Sequence, residues 1–121
     1  MSKCILIVDD DEMVRIAINE LLKPEGYEVR LASSGANALE MLEKDGCDLL
    51  MLDIIMPEMD GFELCKRIRE KEAYRETPIV FLSAKSREED RKQGIEAGAN
   101  LFLSKPISPD KLLEIISDTI G

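Results

Sequence analysis

Short apolar runs along the chain each end where polar residues begin. The runs and the residues that follow them are Cys4–Val8 before Asp9-Asp10, Leu49–Leu52 before Asp53, Ile79–Leu82 before Ser83, and Leu101–Leu103 before Lys105-Pro106. A short continuous apolar run is consistent with a strand that is buried on both faces. Such strands occur mainly in parallel sheets that are covered by helices. A fifth, more polar run, Tyr27–Leu31, predicts a strand at the edge of the same sheet.

Between the strands, the spacing of apolar residues changes to that of amphipathic helices. The first helix is predicted from Asp11 to about Leu22, where Pro24 and Gly26 end it. The others are predicted by their caps and stops: Ser34 to Gly46, about Gly61 to Lys71, the capping box Ser86–Glu89 to about Ala97, and a last helix from Ser108-Pro109. Ala17 of the first helix and Ile115 of the last are among the positions expected to face the core.

Strands and helices therefore alternate five times, with no linker or repeat between them. Right-handed crossovers between parallel strands place helices on both faces of the sheet. The sequence thus predicts an α/β fold of (βα)5 units, a doubly wound parallel sheet of five strands. Since 121 residues is the length of one domain, we expect residues 1–121 to form a single one.

The polar residues that follow the buried strands predict a functional site. The carboxyl ends of parallel strands meet at one edge of the sheet, where ligands bind. Asp9, Asp10, Asp53, Ser83 and Lys105 should therefore converge there. Asp10 or the adjacent aspartate could simply cap the first helix, but three aspartates in a row exceed what one cap needs. Oxygen ligands of this kind suit Mg²⁺.

Asp53 is the candidate nucleophile of this site. A carboxylate that ends an apolar strand is poorly solvated and requires a partner. Aspartate can accept a phosphoryl group as an acyl phosphate, and this transfer needs mainly positive charge on the phosphoryl oxygens. Mg²⁺ and Lys105 would supply that charge, and Ser83 would supply a hydrogen bond.

Composition and charge narrow the class of protein. The chain is 45% apolar and 34% charged, which excludes a disordered chain. Its net charge of −9 disfavours direct nucleic-acid binding. No apolar stretch in the sequence is long enough to span a membrane, and the start of the chain, Met-Ser-Lys followed at once by a strand, is not expected to be a signal peptide. Three cysteines in apolar contexts, Cys4, Cys47 and Cys65, are expected to be free thiols in the reducing cytoplasm.

Four motifs resemble the receiver domain of bacterial two-component response regulators, among them the chemotaxis-type regulators. They are Ile-Leu-Ile-Val-Asp-Asp-Asp at 5–11, Met-Leu-Asp-Ile-Ile-Met-Pro-Glu-Met-Asp-Gly at 51–61, Pro-Ile-Val-Phe-Leu-Ser-Ala at 78–84, and Lys-Pro at 105–106. The resemblance covers essentially the whole chain in order and spacing. It implies a flavodoxin-like fold with strand order 2-1-3-4-5.

The resemblance also implies a role for individual residues. Asp53 would be the phosphorylated aspartate, and Lys105 would contact its phosphoryl group. Mg²⁺, or Mn²⁺ in its place, would be bound by the side chains of Asp10 and Asp53 and by the backbone carbonyl of Ile55, with Asp9 acting mostly through water. Ser83 would be the hydroxyl switch. The remaining implied features are the aromatic switch Phe102 and a cis peptide bond at Lys105-Pro106.

By this resemblance, a sensor histidine kinase or a phosphotransfer protein supplies the phosphoryl group. The chain would be a signalling phosphoacceptor, which catalyses only its own phosphorylation and dephosphorylation. Phosphorylation would change the face formed by helix four, strand five and helix five, which binds an output protein or domain. The protein is expected to be a cytoplasmic monomer or a phosphorylation-dependent dimer. It could be a stand-alone receiver or a piece of a longer regulator.

Two other classes of protein remain open from the residues alone. A small Mg²⁺-dependent phosphatase or phosphotransferase would also use an aspartyl nucleophile. Such enzymes usually carry a second aspartate two residues later, where this chain has Ile55. A flavodoxin-like binder would need a loop rich in Ser, Thr and Gly after strand one, but the chain has Asp-Asp-Asp-Glu there.

The chain departs from the receiver domain family at two positions. The family more often has Thr at position 83 and Tyr at position 102, where this chain has Ser83 and Phe102.

Overall fold

The computed structural model describes residues 2–121, which form one parallel sheet with helices on both faces. The strands are β1 (Cys4–Val8), β2 (Glu28–Ala32), β3 (Leu49–Leu52), β4 (Ile79–Ser83) and β5 (Leu101–Ser104). All four neighbouring pairs are parallel, and the strand order is β2-β1-β3-β4-β5. This confirms the predicted α/β class, the doubly wound sheet and the flavodoxin-like strand order.

Five α-helices connect or follow the strands. They are α1 (Glu12–Leu22), α2 (Gly35–Lys44), α3 (Gly61–Glu70), α4 (Glu88–Ala97) and α5 (Pro109–Ile120). Side-chain oxygens cap four of them by accepting a hydrogen bond from a backbone N–H group of the first turn, and the capping residues are Asp11, Ser34, Asp60 and Ser108. Short 3-10 turns at Lys23–Glu25 and Glu72–Tyr74 follow α1 and α3.

The core lies on both faces of the sheet because alternate residues of each strand point to opposite sides. On one side, Leu6, Leu50 and Phe81 pack with buried residues of α2, α3 and α4. On the other side, Ile5, Ile7 and Met51 pack with α1 and α5. Every residue of β1, β3 and β4 is buried, as the continuous apolar runs predicted.

Some predicted details were wrong. β2 begins at Glu28 rather than Tyr27. The capping box is displaced by one residue, since Arg87 is the N-cap of α4 and its N–H donates to the Asp90 carboxylate at 3.0 Å. The buried position of Asp90 sets this register. Ala17 is exposed and Ile115 is only half-buried, so the apolar faces of α1 and α5 are narrower than predicted.

All three cysteines are free thiols, as the sequence analysis predicted. Cys4 and Cys65 are buried, and Cys47 is half-buried. Burial raises the pKa of the Cys47 thiol to about 12 and that of Cys65 to about 11. Both thiols are therefore protonated at neutral pH, which makes them poor nucleophiles.

Within residues 2–121, no helix is both long and apolar enough to cross a membrane.

Candidate functional site

The parallel sheet brings the predicted polar residues to one edge. Asp9 follows β1, Asp53 follows β3, Ser83 is the last residue of β4, and Lys105 follows β5. Backbone hydrogen bonds fix this alignment: the Asp53 N–H donates to the Val8 carbonyl at 2.9 Å, and the Lys105 N–H donates to the Ser83 carbonyl at 2.9 Å. The register of the strands therefore fixes the backbone positions from which the functional side chains extend.

Asp9, Asp10 and Asp53 form a carboxylate cluster. One oxygen from each residue lies within 4.8 Å of one from each of the others. The Asp9 side chain is only 4% exposed, and both of its oxygens are engaged. One accepts from the Lys105 ammonium at 2.8 Å, and the other accepts from the N–H of Asp11 at 2.9 Å. Asp10, in contrast, is exposed at the mouth of the cluster.

Asp53 lies deeper in the site, with 12% of its side chain exposed. One carboxylate oxygen accepts from the N–H of Ile54 at 2.8 Å, and the other is 3.9 Å from the Lys105 ammonium. Burial, followed by the charge of Asp9, raises the pKa of Asp53. Lys105, the Ile54 N–H and the Ser83 hydroxyl oppose this increase. The three carboxylates thus carry more negative charge than the Lys105 ammonium compensates.

The donor set fits a hard divalent cation. Mg²⁺ prefers oxygen ligands, uses few protein carboxylates and keeps several waters. Asp10 offers an oxygen at the mouth of the site and Asp53 offers one deeper inside, whereas Asp9 is already held by Lys105, which suits contact through water. Ile55 lies in the loop after Asp53 and is 62% exposed. The carbonyl of the preceding residue, Ile54, accepts from the N–H of Gly61 at 2.8 Å.

Gly61 was not predicted to shape the site, although it begins α3 beside Asp53. A Cβ atom at this position would overlap the Asp53 carbonyl oxygen and would lie 2.9 Å from the Cα of Ile54. Only glycine therefore lets the start of α3 pack this closely against the backbone of Asp53. The sequence signal was the Asp-Gly pair at 60–61, which was interpreted as a helix start only.

Ser83 is fully buried beside the cluster. Its hydroxyl oxygen accepts from the backbone N–H of Lys85 at 3.1 Å. The Lys85 ammonium lies 3.8 Å from the carboxylate of Asp90, which is itself only 3% exposed. A chain of contacts thus links Ser83 to the first turn of α4. The sequence analysis did not identify Asp90, because a carboxylate in the first turn of a helix is common.

Phe102 is 7% exposed, and its ring lies in the core between the sheet and α4. The ring centroid is 5.9 Å from that of Phe81. The Lys105-Pro106 peptide bond, in the loop after β5, is cis. The structure therefore places Phe102 facing inward, three residues before Lys105 in the chain.

Comparisons with protein families, with individual proteins and with solved structures all identify the same family. Residues 5–117 match the family described as response regulator receiver domain. The chain is 42% identical over 113 residues to the response regulator MprA of Mycobacterium ulcerans, a match that covers 93% of this chain and 48% of that protein. It is 40% identical over 109 residues to the alkaline phosphatase synthesis transcriptional regulatory protein PhoP of Bacillus subtilis, which covers 90% of this chain and 45% of PhoP. The chain thus spans about half the length of these two relatives.

Solved structures show the same fold. The chemotaxis protein CheY4 of Vibrio cholerae superposes with a TM-score of 0.94 at 34% identity, covering 98% of this chain and 99% of that one. The family match, the strand order and the structural likeness agree over nearly all of the described residues. The chain belongs to the receiver domain family of two-component response regulators.

Proposed function

We propose that Asp53 is the phosphoacceptor of this receiver domain. The observation that carries the proposal is the position of its carboxylate, which ends the central strand and lies within reach of Asp9, Asp10 and the Lys105 ammonium. A carboxylate oxygen of Asp53 attacks the phosphorus of a phosphohistidine. The bond between phosphorus and the histidine nitrogen breaks, and its electron pair stays on the imidazole. Water later hydrolyses the acyl phosphate and restores Asp53.

Lys105 and Ser83 act on the transferred group. Transfer spreads negative charge over the phosphoryl oxygens, and nearby positive charge stabilises it. The Lys105 ammonium is only 3.9 Å from Asp53, so a small movement away from Asp9 brings it to a phosphoryl oxygen. The Ser83 hydroxyl, now an acceptor for the Lys85 N–H, can donate its proton to another phosphoryl oxygen.

Asp10, Asp53 and the backbone carbonyl of Ile55 would hold Mg²⁺ or Mn²⁺, with Asp9 contributing through water. The ion supplies positive charge to the phosphoryl oxygens when it is bound. Asp10 is the exposed carboxylate of the cluster, which places it where an arriving ion meets the protein first. Before transfer, Asp9 accepts from the Lys105 ammonium and so positions it beside the reacting carboxylate.

The phosphoryl donor would be a sensor histidine kinase or a phosphotransfer protein, and the output would be a protein or domain bound by the face of α4, β5 and α5. We further propose that residues 1–121 act as a single receiver domain, located in the cytoplasm, without direct contact to nucleic acid. Monomer and phosphorylation-dependent dimer are both compatible with this function. The chain would catalyse only its own phosphorylation and dephosphorylation.

The test is phosphorylation by acetyl phosphate with Mg²⁺, followed by intact-mass spectrometry. We expect one phosphoryl group on the wild-type protein and none on the Asp53→Asn variant. Asp60→Asn is the matched control, because it removes the same charge and asparagine still caps α3. Labelling of Asp53→Asn at the wild-type yield would contradict the assignment. Rapid turnover of an unrelated phosphate ester would instead indicate a phosphatase.

A further inference from the structure

Arg91 of α4 contacts the residues around the Phe102 ring through three different interactions. Its guanidinium lies over the ring, 5.2 Å from the centroid. One terminal nitrogen donates to the Phe102 carbonyl at 3.1 Å, and the other donates to the Ser104 hydroxyl at 3.2 Å. A planar guanidinium with several donors is suited to such a combined contact, whereas an ammonium is not. Arg91 therefore fastens α4 to both ends of the segment from Phe102 to Ser104.

Gly94 provides the space that the ring occupies. It lies three residues after Arg91 and therefore on the same face of α4. A Cβ atom at Gly94 would lie 3.1 Å from the rings of both Phe102 and Phe81. Glycine inside a helix is unfavourable by about 1 kcal/mol relative to alanine, so the close approach of the two rings explains its presence here.

The ring needs no polar partner in this position. Phenylalanine has no hydroxyl group, so its burial incurs no cost of an unpaired polar atom. Phe102 is 7% exposed, and the Ser83 hydroxyl is engaged by the Lys85 N–H. The inward position is therefore supported by Arg91, Gly94 and Phe81 rather than by contacts at the phosphorylation site.

We infer that Arg91 is a positioning residue that holds Phe102 inward before phosphorylation. Part of the output surface, the face of α4, β5 and α5, then already has the conformation of the ring-inward state before phosphorylation. Phosphorylation of Asp53 completes a change that Arg91 has already favoured. Ser104, which Arg91 also holds, is paired directly with Ser83 across β4 and β5. The inference rests on the proposed function for its meaning in signalling, but the position of the ring does not depend on it.

The experiment is NMR of the unmodified protein with labelled phenylalanine rings, which is practical because the chain has only three phenylalanines. In the wild type we expect nuclear Overhauser contacts from the Phe102 ring to Gly94 and to the Phe81 ring. Arg91→Gln should reduce the ratio of inward to outward ring on the order of 10-fold, the size expected from a lost cation–π contact with its hydrogen bonds. Arg91→Lys should reduce this ratio less than Arg91→Gln does, since lysine keeps the positive charge. Lys92→Gln, which alters the neighbouring exposed cation, is the matched control and should behave as the wild type.

Gly94→Ala provides a second test that leaves Arg91 in place. Its methyl group should displace the Phe102 ring and reduce the same contacts, although alanine favours the helix. Adding beryllofluoride, which mimics a phosphoryl group on Asp53, should move the ring of Arg91→Gln back inward. Undiminished ring contacts in Arg91→Gln, or a wild-type ring without contact to Gly94, would overturn the inference. A missing response to beryllofluoride would count against the role of Asp53 and would leave the measurements on the unmodified protein unaffected.

Discussion

The Asp10→Asn substitution tests whether the three carboxylates form one metal-binding cluster. An oxygen of Asp10 lies within 4.8 Å of oxygens of Asp9 and Asp53. The Lys105 ammonium compensates only part of this charge, because it bonds to Asp9 at 2.8 Å and stays 3.9 Å from Asp53. Without a metal ion, the remaining repulsion opposes folding. Neutralising Asp10 should therefore stabilise the metal-free protein.

The expected size follows from the exposure of Asp10. Two unit charges about 4 Å apart interact by about 1 kcal/mol when the surroundings are close to bulk water. Asp10 faces two carboxylates, and Lys105 offsets part of that repulsion, so a net gain of about 1 kcal/mol is expected. In a domain of this length, such a gain raises the melting temperature by about 3–6 °C.

The assay is thermal unfolding followed by circular dichroism, first in EDTA and then over a series of Mg²⁺ concentrations. At about 100 times its dissociation constant, Mg²⁺ should stabilise the wild type by about 2.7 kcal/mol, and Asp10→Asn should lose most of this response. Asp11→Asn is the matched control, since it removes a charge one residue away and still caps α1. If the melting temperature of the wild type does not change with the Mg²⁺ concentration, the metal site is refuted. Equal shifts for the two variants in EDTA would show that the repulsion is not concentrated in the cluster.

Four further results are expected. Lys105→Ala should still be labelled by acetyl phosphate, since Mg²⁺ remains, but should show a smaller change around Phe102 by NMR. Ser83→Ala should also be labelled while losing most of that change, and a Phe102 response equal to the wild type would show that coupling does not use this hydroxyl. Gly61→Ala should lower both the melting temperature and the labelling yield, because its Cβ overlaps the Asp53 backbone. Since the pKa of Asp53 is raised above 3.8, the folded protein binds more protons than the unfolded chain, so the stability advantage of Asp53→Asn without Mg²⁺ should grow as the pH rises above 3.8 and become constant above the pKa of Asp53 in the folded protein.

The sequence was sufficient to predict the strand ends because the topology of a parallel sheet does most of the positioning. Once Leu49–Leu52 is a buried strand, Asp53 has to lie at the carboxyl edge, and the same holds for Asp9 after β1. No long-range information is needed for this step. The pairing of Lys105 with Asp9 rather than with Asp53 could not be predicted, since it depends on distances of 2.8 and 3.9 Å within the folded site.

The environment of α4 was the least predictable part of the fold. The helix has few apolar residues, so the sequence identified it by its caps and stop rather than by periodicity. Its register is set by the buried carboxylate of Asp90, which accepts from the Arg87 N–H and lies 3.8 Å from the Lys85 ammonium. These are contacts between polar residues, and a pattern of apolar positions carries no information about them.

Because α4 depends on polar contacts, its attachment to the sheet differs from that of α3. Its buried residues are only Asp90, Gly94 and Ala97, whereas α3 buries several large apolar side chains. A helix with little apolar burial belongs to the less stable parts of a domain, from which moving elements are drawn. The contacts that hold α4 run through Lys85 to the Ser83 hydroxyl and through Arg91 to the ring of Phe102. We therefore expect a phosphoryl group on Asp53 to act on the helix whose attachment to the sheet depends least on the core.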